Sequence, residues 1–153
     1  MSWLNSLYTV PAKWRRRTRV ERSLLLEAFV LLGIARLAVL ALPFKWLAGS
    51  LGRHMNEAAD PVSASELALA RQVGGAVCSA ANYTVWESVC LPQAIAAQWM
   101  LKRRHIAGTL YLGLAKDEAK PKKLAAHAWL SCGGLLLTGA RGHRQYTVVS
   151  IFS

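Results

Sequence analysis

The chain has 153 residues, 54% hydrophobic and 8% aromatic, which is ample for one packed core and excludes a globally disordered chain. Its net charge is +11, spread as nine Lys/Arg against four Asp/Glu in residues 1–60 and ten against four in residues 61–153. That excess suits acidic peptides, anionic membrane surfaces or a solubilising role, whereas nucleic acid is not expected because no recognised binding motif accompanies the charge.

Residues 1–60 read as a helical N-terminal region. A basic run holds Lys13, Arg15, Arg16, Arg17, Arg19 and Arg22, fit for an acidic partner or simply a solvated helix face. Ser23 to Leu42 follows, 20 mostly aliphatic residues and long enough to suggest a membrane span. Glu27 and Arg36 interrupt it, leaving only eight charge-free residues from Ala28 to Ala35. Nine residues apart, the two charges fall on opposite sides of a helix. This predicts a buried helix of a soluble protein, ending near Pro43, with peripheral membrane contact left open. Phe44 to Arg53 reads as a short helix and His54 to Pro61 as a linker.

Residues 61–153 read as a second unit. Ser63-Ala64-Ser65-Glu66 has capping-box spacing and opens a helix through Leu67, Ala70, Val73 and Val77, where Gly74-Gly75 permits close packing. Asn82 to Trp86 leads to Ser88-Val89-Cys90-Leu91-Pro92-Gln93-Ala94, a helix opening that Ser88 can cap and that tolerates Pro92 in its first turn. Cys90 therefore stands at a helix N-terminus, where free N–H groups and the helix dipole favour a thiolate and a developing oxyanion. Past residue 108 the period becomes alternating, with Leu110, Leu112 and Leu114 on one face. Asp117 to Lys123 is a charged turn. Leu124 to Ser131 then puts His127 and Trp129 on one face and Ala126, Ala128 and Leu130 on the other. Gly133-Gly134 reads as a hairpin loop, and Leu135 to Leu137 and Tyr146 to Phe152 supply two more strands. Helices packed on one antiparallel sheet make an α+β arrangement.

A Cys at a helix start with a His on a facing strand is the constellation of a thiol nucleophile and its base, although each residue alone is more often plain packing. Cys78 and Cys132 have no evident base. Trp86 and Trp129 are candidate walls of a cleft or plain core. Three cysteines with no CxxC pair and no cleavable apolar leader read as a reducing, cytoplasmic setting. No HxxxH or CxxC spacing supports a metal, and no cofactor is expected.

Cys90-Leu91-Pro92-Gln93-Ala94, Gln98-Trp99, the strand Gly108 to Leu114 and Ala126-His127-Ala128-Trp129 together resemble the leader peptidase of lasso-peptide biosynthesis. That family lies in the transglutaminase-like branch of the papain-like cysteine proteases. The resemblance covers residues 67 to 152, and a helical stretch ending in Leu42-Pro43-Phe44 also fits. It implies a papain-like core in which Cys90 and His127 cleave the leader from a ribosomal precursor peptide before a separate cyclase closes the ring. The family's third member is an acid on a strand after the histidine. Here no Asp or Glu follows Glu118, and the matching region, Leu137-Thr138-Gly139, offers only the hydroxyl of Thr138. A hydroxyl, a backbone carbonyl, or Asp117 or Glu118 from the preceding turn remain as ways to hold the imidazole. Some relatives carry a strand-containing leader-recognition module ahead of the peptidase. Residues 1–80 read as helical, so the resemblance implies a separate recognition protein as partner, beside the precursor and the cyclase. Amide transfer by the same acyl-enzyme, or a non-catalytic basic adaptor, are the competing readings.

Overall fold

The computed structural model describes residues 16–58, 61–84, 89–116 and 123–153. Among the described residues four α-helices precede a four-stranded antiparallel sheet, so the α+β arrangement with a helical N-terminal part is what the chain adopts.

Helix α1 (Arg19–Ala41) begins at Thr18, whose hydroxyl accepts from the Glu21 N–H at 3.2 Å while the Glu21 carboxylate accepts from the Thr18 N–H at 2.7 Å. This second capping box starts the helix four residues ahead of the expected Ser23, and its signal was present in Thr18-Arg19-Val20-Glu21. The helix is not buried all round, as its aliphatic sequence had suggested. Leu24, Leu25, Ala28, Leu32 and Ala35 enter the core, and the opposite side stays exposed.

Helix α2 (Phe44–Leu51) follows Pro43, which cannot continue α1. The stretch read as a linker is tied down at its start, where the Met55 N–H donates to the Ile151 carbonyl and His54 bridges to Phe152; just before it the Arg53 N–H donates to the Ser153 carbonyl. Helix α3 (Ala64–Ala81) carries the expected Ser63–Glu66 box. Its two glycines differ in role. A Cβ on Gly74 would press on the backbone of Leu137, whereas one on Gly75 would meet open space.

Helix α4 (Cys90–Lys102) is the centre of the molecule. Pro92, the run from Ala94 to Gln98, Met100 and Leu101 are all buried, the pattern of a helix surrounded by protein. Gln98 donates its amide hydrogens to the carbonyls of Leu51 at 3.1 Å and Gly108 at 3.2 Å, joining α2, α4 and the approach to the sheet. At the far end, the Arg104 guanidinium grips both Glu27 carboxylate oxygens, at 3.1 and 2.6 Å, and so fixes α1 to the C-terminal end of α4.

Strands β1 (Thr109–Lys116), β2 (Leu124–Cys132), β3 (Leu135–Thr138) and β4 (Thr147–Phe152) lie in the order β3-β2-β1-β4. Leu110 pairs with Leu130 and Leu112 with Ala128, so those side chains share the sheet face that meets α4. Tyr111 pairs with Trp129 and Gly113 with His127 on the other face. The segment from β3 to β4, with a short 3-10 turn at His143–Gln145, packs on β2. One continuous core runs from Leu24 to Phe152.

Candidate active site

The first residue of α4 is Cys90. Val89 before it is extended (φ −67°, ψ 164°) and caps nothing with its side chain. The first bond of the helix runs from the Gln93 N–H to the Val89 carbonyl at 3.4 Å, so the N–H groups of Cys90 and Leu91 have no acceptor within the helix. Those donors and the positive end of the helix dipole surround the thiol. The expected cap, Ser88, lies outside the described residues.

His127 sits in β2, half-buried, with Gly113 opposite it. Gly113 is needed there, because a Cβ would press on Tyr146 and on the Trp129 ring. The imidazole lies between aromatic neighbours: its centroid is 4.9 Å from that of Tyr146 and 5.9 Å from that of Trp129. Trp129 in turn stacks on Tyr111 at 5.6 Å, with planes 8° apart. Nε2 of His127 lies 2.8 Å from the carbonyl oxygen of Gly139. A carbonyl only accepts, so Nε2 carries the hydrogen and Nδ1 is the basic nitrogen of the neutral ring.

The orienting group is therefore a backbone carbonyl, one of the alternatives the sequence left open. It is not Thr138. That residue pairs with Leu130, which places its side chain on the core face, away from His127. There its buried Oγ1 has no hydrogen-bond partner. Asp117 and Glu118 lie outside the described residues.

Cys90 and His127 line one cavity of about 450 Å³. Val89 and Leu91 flank Cys90 on the helix side; Leu112, Leu114, Ala126 and Ala128 form the sheet side; Phe44 and Val149, both partly exposed, stand on its wall. Among the described residues the lining is almost wholly apolar, with Cys90 and His127 its only ionisable residues. Alternation turns His127 to the opposite face from Ala126 and Ala128, and among the described residues no hydrogen bond reaches the Cys90 thiol. The two groups share the cavity without being in bonded contact. Trp129, expected as a cleft wall, is buried under Tyr111 instead and is not among the described lining residues; Trp86 lies outside the described residues.

The other two thiols do not line this cavity. Burial pushes the Cys78 thiol up, and its Sγ points at the Leu137 carbonyl 3.8 Å away. Burial, and then the nearby Glu66 charge, push Cys132 up. His54 contacts Ser150 and His143 the Ala140 carbonyl, so neither joins the cavity. Among the described residues, no three His, Cys, Asp or Glu side chains gather as metal ligands would.

No curated protein and no solved structure matches the chain. A family model does, over residues 38–151, from within α1 to the end of β4. That span is well over half of the chain, so the chain belongs to the transglutaminase-like superfamily, whose core is of the cysteine-protease and acyltransferase type.

Proposed function

We propose that the chain is a cysteine peptidase that removes the leader from a ribosomal lasso-peptide precursor, before a separate cyclase closes the ring. The observation that carries the reading is one cavity lined by both Cys90, at the N-terminus of α4, and His127, on β2. The choice of precursor rests on the ordered resemblance of the segments around Cys90 and His127 described above.

In this reading Nδ1 of His127 takes the proton of the Cys90 thiol, and the thiolate attacks the scissile carbonyl carbon. The oxyanion is held by the free N–H of Cys90 at the helix end. Collapse breaks the C–N bond, and the imidazolium returns its proton to the leaving amine. His127 then deprotonates a water that hydrolyses the thioester and frees the thiol. For this proton transfer the imidazole has to leave the Gly139 carbonyl and reach the α4 side of the sheet, because strand alternation places it on the opposite face. The protein would act in the cytoplasm, with a separate leader-recognition protein presenting the precursor.

The test is cleavage of the precursor by purified Cys90→Ala protein, followed by mass spectrometry with and without the recognition protein. Cleavage should disappear while the fold persists, and Cys78→Ala should stay active. Full cleavage by the Cys90 variant ends the proposal. Added amines separate hydrolysis from transfer, since a transferase would release the amide adduct instead of the free acid.

A further inference from the structure

The longest helix of the molecule leaves an apolar face uncovered. Along α1, Leu26, Val30, Ile34 and Leu37 follow one another at helical spacing, opposite the side that enters the core. Their exposures run from 48% at Ile34 to 67% at Leu37. The outward side of a surface helix is ordinarily polar, and a contiguous apolar stripe marks a surface that meets something.

Its surroundings identify the partner. Arg19 and Arg22 share a groove with Leu26, Val30 and Ile34, and Arg103 lines the same groove from the end of α4. The acid in that groove, Glu27, is already engaged by the Arg104 fork and by Arg103 at 3.4 Å. Between residues 16 and 53 there are seven Lys/Arg and two Glu, Glu21 being committed to its capping box. On α2, Trp46 is 69% exposed beside Lys45, an amphipathic ring and a cation suited to a headgroup layer.

We infer that this face of α1, with Trp46, docks the protein on an anionic membrane surface. The exposed aliphatic stripe enters the boundary of the acyl chains, and the exposed Arg19 and Lys45 pair with lipid phosphates. By length and composition α1 could cross a membrane. Its core side argues for lying on the surface: a spanning helix would have to withdraw Ala28, Leu32 and Ala35 from the core and break the Glu27–Arg104 pair. A second copy is a poor occupant, because it would bring the same arginines face to face.

The test is sedimentation of the full chain with phosphatidylcholine vesicles and with vesicles that also contain phosphatidylglycerol. The protein should pellet with the anionic vesicles only, and salt should release it. Leu26→Gln/Ile34→Gln/Leu37→Gln should weaken binding by about tenfold or more, and Arg19→Gln/Lys45→Gln should weaken it and flatten the salt dependence. All five positions are exposed, and circular dichroism is the control that the variants fold as wild type does before binding is compared. No binding to anionic vesicles, or equal binding to both kinds, overturns the inference. So does extraction only by detergent, which would show a span. A dimer in light scattering that the triple variant abolishes would assign the stripe to a second copy and overturn it too.

Discussion

His127 donates its Nε2 hydrogen to the carbonyl oxygen of Gly139 across 2.8 Å, and that carbonyl stands where it does because Gly139 has φ +66°. A Cβ there would collide with the Ala128 carbonyl and with Trp129, so only glycine fits. In the proposed mechanism a main-chain dipole would do the orienting that a carboxylate does in a full triad. It fixes the tautomer and ring direction, but it contributes a partial charge where an acid contributes a whole one. An acid also cannot be restored at Gly139, because any side chain meets the same wall.

Gly139→Ala should therefore damage both fold and chemistry. The strained backbone costs about 1–3 kcal/mol of stability. The displaced carbonyl should lower kcat for precursor cleavage by about 10- to 100-fold with KM little changed, the scale of a small misplacement. Thermal melts and steady-state kinetics check the two halves separately. A folded variant with unchanged kcat would show that this carbonyl does not position the imidazole.

Thr138→Val should behave in the opposite way. The hydroxyl is buried on the core face without a partner, so replacing it with a methyl removes an unsatisfied polar group of the same size. Stability should hold or rise by about 1 kcal/mol or more, and cleavage should be unchanged. A large loss of kcat would return Thr138 to the catalytic apparatus.

The two glycines of α3 give a paired test of packing. Gly75→Ala adds a methyl in open space and should stabilise by up to about 1 kcal/mol through helix propensity. Gly74→Ala places its Cβ 2.9 Å from the Leu137 carbonyl, and pushing β3 away should cost more than the propensity returns. Urea titrations of both variants read the difference, and a gain in both would mean that α3 and β3 are not in tight contact.

Much of this was legible because local signals and burial agreed. The Ser63 capping box, the Cys90 helix start, the alternation through β2 and the turn at Gly133-Gly134 are all written in short windows. What failed was long-range. The partner of His127 is a main-chain atom 12 residues away, and no side-chain pattern announces a carbonyl. Thr138 looked suitable by position, but cross-strand pairing with Leu130 turned it to the other face. The aliphatic composition of α1 could not tell a helix buried all round from one with a bare apolar side, because both are equally hydrophobic.

The last prediction concerns acid stability through the Glu27–Arg104 pair. The Arg104 hydrogen bonds hold the Glu27 carboxyl below its ordinary value near 4.5, against an opposing push from burial, with the charges of Arg104 and Arg103 adding to the lowering. A folded-state value below the unfolded one means that the stabilisation is fully present above about pH 4.5 and is lost as pH falls through the lowered value. Glu21 and Glu66 are lowered by their capping boxes in the same direction, so the whole protein weakens in acid and the wild-type curve alone cannot isolate Glu27. The difference between two proteins can. Glu27→Gln keeps the shape and an acceptor for Arg104 but removes the charge, so it should be less stable than wild type at about pH 7, and the gap should narrow as the pH is lowered to about 3. Urea midpoints for both proteins at those two pH values read it directly. A gap of the same size at both would mean that the carboxylate charge does not hold α1 to α4.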